Sequence, residues 1–154
     1  MAGLARIAQH HLERWLDSAR RKPLVIRGAR QVGKSTLVRQ LAAARGMPLL
    51  EVNLEQPRRL ETVFSALDVK AILLELEAIG RVPPGPQTLL FLDEIQATPS
   101  AIAALRYLHE ERPDLPVIAA GSLLELVLRK RTRVRRPAGD CGRGAGTAPV
   151  ARVP

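Results

Sequence analysis

Eight consecutive residues, Gly28-Ala29-Arg30-Gln31-Val32-Gly33-Lys34-Ser35, constrain this chain more than any other feature. They match the order glycine, four residues, glycine, lysine, then serine or threonine, the pattern of a loop that wraps phosphate. Each fixed residue type has a physical reason. Glycines let the backbone turn tightly and come close to an anion with no Cβ in the way. The amides of Gly33, Lys34, Ser35 and Thr36, at the start of a helix, aim donors at that anion. Lys34 brings a point charge to the outer phosphates, and the Ser35 hydroxyl is an oxygen ligand suited to magnesium.

The flanks fit this reading. Leu24-Val25-Ile26 is a short apolar run, as expected of a buried parallel strand feeding the loop. From Lys34 to about Arg45 the apolar residues Leu37, Val38 and Leu41 share one helical face, and Gly46 is a stop signal. The plain alternative is a glycine turn between strand and helix, with Lys34 merely exposed. The strand before and the periodic helix after weigh against it.

A second signal lies further along. Leu89-Leu90-Phe91-Leu92 is a continuous apolar strand that delivers Asp93 and Glu94 at its C-terminal end. Ligands of open α/β sheets bind outside those ends, where the glycine loop also lies. Asp93 suits a magnesium site, through a water or through Ser35. Glu94 suits the orientation of an attacking water beside a terminal phosphate. A carboxylate pair can also be a solvated loop start, and it is the company of the glycine loop that favours chemistry. Ser122, after the run Leu115 to Ala120, either faces the terminal phosphate or caps a helix, and the sequence leaves both open. Asn53 ends another strand; a turn-forming role is favoured over a bond to Glu94.

The remaining chain supplies a scaffold. Leu4, Ile7, Ala8, Leu12, Trp15 and Leu16 recur at helical spacing, with Arg20, Arg21 and Lys22 expected in the last turn before Pro23. Further strands are expected at 48–53, 88–92 and 115–120. Helices are expected at 58–67, 69–79, 99–111 and from Ser122 to about Leu128, with Thr98 as the cap before Pro99. Pro83-Pro84-Gly85-Pro86 makes a stiff, exposed connector. Strands alternating with helices indicate a parallel α/β architecture.

Charge and composition narrow the partners. The net charge of +9 is unevenly placed: 16 basic against 14 acidic residues up to Leu128, then 8 against one in 129–154. The excess belongs to the C-terminal segment, whose Arg, Gly, Ala and Pro show no apolar period and predict disorder. Nucleic-acid binding through that segment is a weak alternative, because the body has neither a basic stripe nor an aromatic platform. No apolar run is long enough for a membrane span. The absence of a signal-like N-terminus and the single Cys141 favour the cytoplasm. His10, His11 and His109 lack ligand-like spacing. Trp15 fits packing, Arg30 contacts phosphate or is simply exposed, and Arg106 fits a helix surface better than an arginine finger. An Asn-Lys-x-Asp guanine signature is missing, which favours adenine.

With these motifs in view, the glycine loop, the segment Leu89 to Gln96 and the segment Val117 to Glu125 together resemble the prokaryotic AAA-type ATPase family. There a nucleotide-binding domain usually precedes a C-terminal domain of unknown function. The resemblance spans about Arg14 to Leu128. It implies a three-layer α/β/α fold of the additional-strand class, with sheet order 5-1-4-3-2. It also implies ATP and Mg2+ as ligands, with Lys34, Ser35, Asp93, Glu94 and Ser122 in the roles above. Self-association or a protein partner is compatible with it, and the motifs identify neither. The organisation expected is a helix at 1–22, a partial nucleotide-binding domain at 23–128 and a basic tail at 129–154. The family continues past Ser122 with a fifth strand and a helical lid, which this chain is expected to lack through truncation or a change of frame. Weaker binding and slow or absent hydrolysis would follow.

Overall fold

The computed structural model describes residues 2–29, 33–56 and 59–122. Four parallel strands form one sheet in the order β1-β4-β3-β2. They are β1 (Leu24–Arg27), β2 (Leu49–Asn53), β3 (Leu89–Asp93) and β4 (Val117–Gly121). This is the expected order for the four strands described, and a fifth strand or lid would lie outside the described residues.

Period-two alternation sends neighbouring residues to opposite faces, and both faces are covered. Leu89, Phe91, Ile118 and Ala120 pack with Leu12, Leu16, Val38 and Leu41 on one side. Those partners come from α1 (Ala2–Leu16) and α2 (Lys34–Ala44). Leu90, Leu92, Val117 and Ala119 face the other side, with Leu60, Phe64, Ile72, Leu76 and Leu108. They lie on α3 (Arg59–Ser65), α4 (Val69–Gly80) and α5 (Pro99–Glu111). The result is three layers, α/β/α. Strand β4 is buried throughout, whereas β1 alternates between half-buried and exposed and pairs only with β4 among the described residues.

Three local expectations change. Helix α1 stops at Leu16, so Arg20, Arg21 and Lys22 follow the helix instead of forming its last turn. Arg21 still satisfies its end: one guanidinium nitrogen donates to the Leu16 carbonyl at 3.1 Å, and another to the Asp114 carbonyl at 2.9 Å. Thr98 occupies the cap position of α5 without capping it; its buried hydroxyl donates to the Leu54 carbonyl at 3.2 Å. The free N-terminus of α5 is met instead by Glu61 of α3, whose carboxylate accepts from the Ser100 amide at 3.4 Å. The proline connector is only partly exposed and is tied down, since Thr88 donates through its hydroxyl to the Pro83 carbonyl at 2.9 Å. The helix expected after Ser122 and the basic tail lie outside the described residues. No helix among the described residues is long and apolar enough to cross a membrane.

Candidate functional site

The C-terminal ends of β1, β3 and β4 point to one edge of the sheet, because parallel strands share a direction. Beyond β1 the chain turns through Gly28 and Ala29 and re-enters as α2. Gly33 caps that helix at φ 83°, ψ 18°, in the left-handed region, and among the described residues no side-chain cap of the helix N-terminus is seen. The first amides of α2 are therefore available to an anion.

Lys34 follows directly. It is 9% exposed, a low value for a lysine, and its ammonium donates to the carbonyls of Gly28 at 2.9 Å and Ala29 at 2.6 Å. Both acceptors are neutral carbonyls, so neither contact is an ion pair. The next residue crosses to β3: the Ser35 hydroxyl donates to Asp93 Oδ2 at 2.7 Å. The other oxygen, Oδ1, accepts from the amide of Glu94 at 2.9 Å. Asp93 is thus aligned from two sides, next to a hydroxyl and on a strand tip.

Glu94 has φ 52°, a left-handed conformation unusual for a residue with a Cβ, and opens a 3-10 turn over Ile95–Ala97. Strain of this kind costs about 1–3 kcal/mol and collects at functional positions. Gly33, Lys34, Ser35, Thr36, Asp93 and Glu94 together line a cavity of about 240 Å³. That is below the roughly 300–1,000 Å³ of pockets that enclose a whole ligand. It suits a polyphosphate tail, with base and ribose outside.

The donor set fits the ligands that the motif implies. A hydroxyl and a carboxylate in contact are hard oxygen ligands of the kind magnesium takes. A nearly buried ammonium with free helix amides suits phosphate oxygens.

Of the other residues named from sequence, Gly28 and Ala29 reach the site through their carbonyls, while Arg30, Gln31 and Val32 lie outside the described residues. Ser122, just after β4, is brought to the same edge through Gln96 of the 3-10 turn. Asn53 does not reach across to Glu94 by any hydrogen bond found among the described residues. Its Oδ1 accepts from the Glu55 amide at 2.8 Å, the turn-forming arrangement. Arg106 pairs along its own helix with Glu110 at 2.7 Å, on an exposed face. Trp15 packs beside the α1–α2 layer and donates to the Lys22 carbonyl at 2.8 Å.

Gln96, named from sequence only as the end of the segment Leu89 to Gln96, was given no role at the site. It is hydrogen-bonded to both Glu94 and Ser122, and its nearness to the Asp-Glu pair was the only signal that could have pointed to it.

No curated protein matches the chain. A family model described as AAA domain matches residues 20–139. The match extends past Leu128, the end of the segment that the motifs delimit. Since it covers more than half of the sequence and every strand tip at the site, the chain belongs to the AAA domain family, a family of nucleotide-binding ATPases.

Proposed function

We propose that this protein binds ATP with Mg2+ at the cavity between α2 and β3 and hydrolyses it. The observation that carries the reading is the convergence of Lys34, Ser35, Asp93 and Glu94 on one cavity from positions up to 60 residues apart in the sequence. Lys34 leaves the loop carbonyls for the β- and γ-phosphates, and the amides of Gly33 to Thr36 hold their oxygens. Ser35 and Asp93 would hold Mg2+, which when bound supplies charge neutralisation across those oxygens. Glu94 orients a water for in-line attack on the γ-phosphorus and accepts its proton. The bond from phosphorus to the bridging oxygen breaks, and ADP and phosphate leave. Ser122 hydrogen-bonds the γ-phosphate from the tip of β4.

The test separates binding from chemistry. Calorimetry with ATP and Mg2+ should show binding by the full chain and its loss in Lys34→Ala. Phosphate release should fall by about 100-fold or more in Glu94→Gln, the usual weight of a positioned base, with ATP still bound. Binding without phosphate release by the unmodified chain would reduce the reading to a nucleotide-binding module. Absence of binding by a folded chain would remove it.

A further inference from the structure

The roles above leave Gln96 without a task, yet its carboxamide is fully engaged. Its Nε2 donates to Glu94 Oε2 and, at 3.4 Å, to the Ser122 hydroxyl oxygen. Its Oε1 accepts from the Ser122 amide at 3.3 Å. An amide has two N–H donors and one acceptor oxygen, so each is matched to a group on one of two different strand tips. The network also fixes which way the amide points. Turned over, it would set Oε1 against a carboxylate and Nε2 against an N–H, acceptor on acceptor and donor on donor.

This places a half-buried link between two elements that are remote in sequence. Glu94 is anchored at one end by its left-handed backbone and at the other by Gln96. One of its carboxylate oxygens is occupied by the amide, which leaves the second oxygen to hold water. Ser122 and Gln96 share two hydrogen bonds, and Gln96 and Glu94 share one.

We propose that Gln96 is a positioning residue that couples the tip of β4 to Glu94, so that contact of Ser122 with the terminal phosphate sets where the Glu94 carboxylate stands. The proposal rests on the ATPase reading for its consequence, and on the geometry alone for the coupling.

Two substitutions test the consequence. Gln96→Met keeps the length of the side chain and removes its donors and acceptor. Gln96→Glu keeps the shape, removes the donors and sets a like charge against Glu94. Both should bind ATP within about twofold of the unmodified chain, because neither alters a phosphate contact. In both, kcat should fall about tenfold or more, as expected when a reacting group loses its alignment. Wild-type kcat in Gln96→Glu would show that only shape matters and would overturn the proposal.

The coupling has its own readout, independent of turnover. The carboxyl 13C signal of Glu94 should shift in Ser122→Ala without nucleotide, and should not respond to that change when Gln96→Met is already present. An unmoved signal in Ser122→Ala overturns the coupling. Failure of the unmodified chain to release phosphate would count against the hydrolysis reading alone, and the carboxyl signal would still decide the coupling.

Discussion

Gly33 adopts φ +83°, and a Cβ built there would meet nothing within 4 Å. Space is therefore no obstacle to Gly33→Ala; the backbone conformation is, at about 1–2 kcal/mol for a left-handed residue with a Cβ. The loop can relieve that strain only by rotating the first amides of α2 away from their common focus. Calorimetry should show ATP affinity in Gly33→Ala reduced about tenfold or more, with the helical circular dichroism unchanged. At this scale the sequence was most legible where chemistry is contiguous. Gly28, Gly33, Lys34 and Ser35 announce themselves by spacing, and Asp93 and Glu94 by standing at the end of an apolar run. Gln96 did not, because its role depends on which strand tip lies beside the 3-10 turn. That is a tertiary fact: the backbone of Ser122 becomes its partner only once β4 pairs with β3. Thr98 misled for a similar reason. A hydroxyl before Pro99 has the composition of a cap, but the Thr98 hydroxyl is turned to donate to the carbonyl of Leu54, 44 residues away, and makes no cap bond to the helix.

Helix α4 closes tightly on β2 at Gly80. A Cβ on Gly80 would overlap the side chain of Leu50, which is fully buried. Gly80→Ala should lower stability by about 1–3 kcal/mol, the range for overpacking, in spite of the better helix propensity of alanine. Denaturant unfolding of Gly80→Ala, Leu50→Val and the pair would check the cause. The double substitution should lose less than the sum, since valine vacates the volume the new methyl needs. The turn from α5 into β4 gives a weaker, pH-dependent case. The Arg112 guanidinium, hydrogen-bonded at 2.9 Å, holds the Asp114 carboxyl below its ordinary 3.8, against a smaller opposing effect of burial. A carboxyl whose folded pKa is depressed contributes stability above its unfolded value and loses it as pH falls through the folded one. The acid loss of thermal stability below about pH 4 should be shallower in Asp114→Asn. The difference should stay under about 1 kcal/mol, because the pair is partly exposed and solvent screens it. Element type was readable from period and punctuation, and helix 99–111 and strand 49–53 fell within a residue of expectation. The end of α1 was not, because its last carbonyl is satisfied by a side chain from beyond the helix.

At the scale of the molecule, the candidate site gathers the tips of three of the four described strands: β1 through the loop, β3 through Asp93 and β4 through Ser122. A ligand that joins those tips favours the whole sheet over the unfolded chain, because the unfolded chain has no such convergence. By linkage, ATP with Mg2+ at 100 times its dissociation constant should add about 2.7 kcal/mol. For a domain of this size that corresponds to a rise in Tm of about 10 °C. Glu94→Gln should keep the rise, since it alters the water side of the site. Lys34→Ala should lose it, since the charge that faces the phosphates is gone. The basic segment at 129–154 is a second attractor, because eight cations there bind any polyphosphate, but they do so in the unfolded chain as well and so add calorimetric binding without a rise in Tm. Salt separates the two. Binding to the segment would persist in Lys34→Ala and fall away steeply between about 50 and 200 mM salt. A rise due to the cavity would vanish in Lys34→Ala at any salt, because its amides and buried ammonium recognise phosphate at short range, where screening by mobile ions is weak.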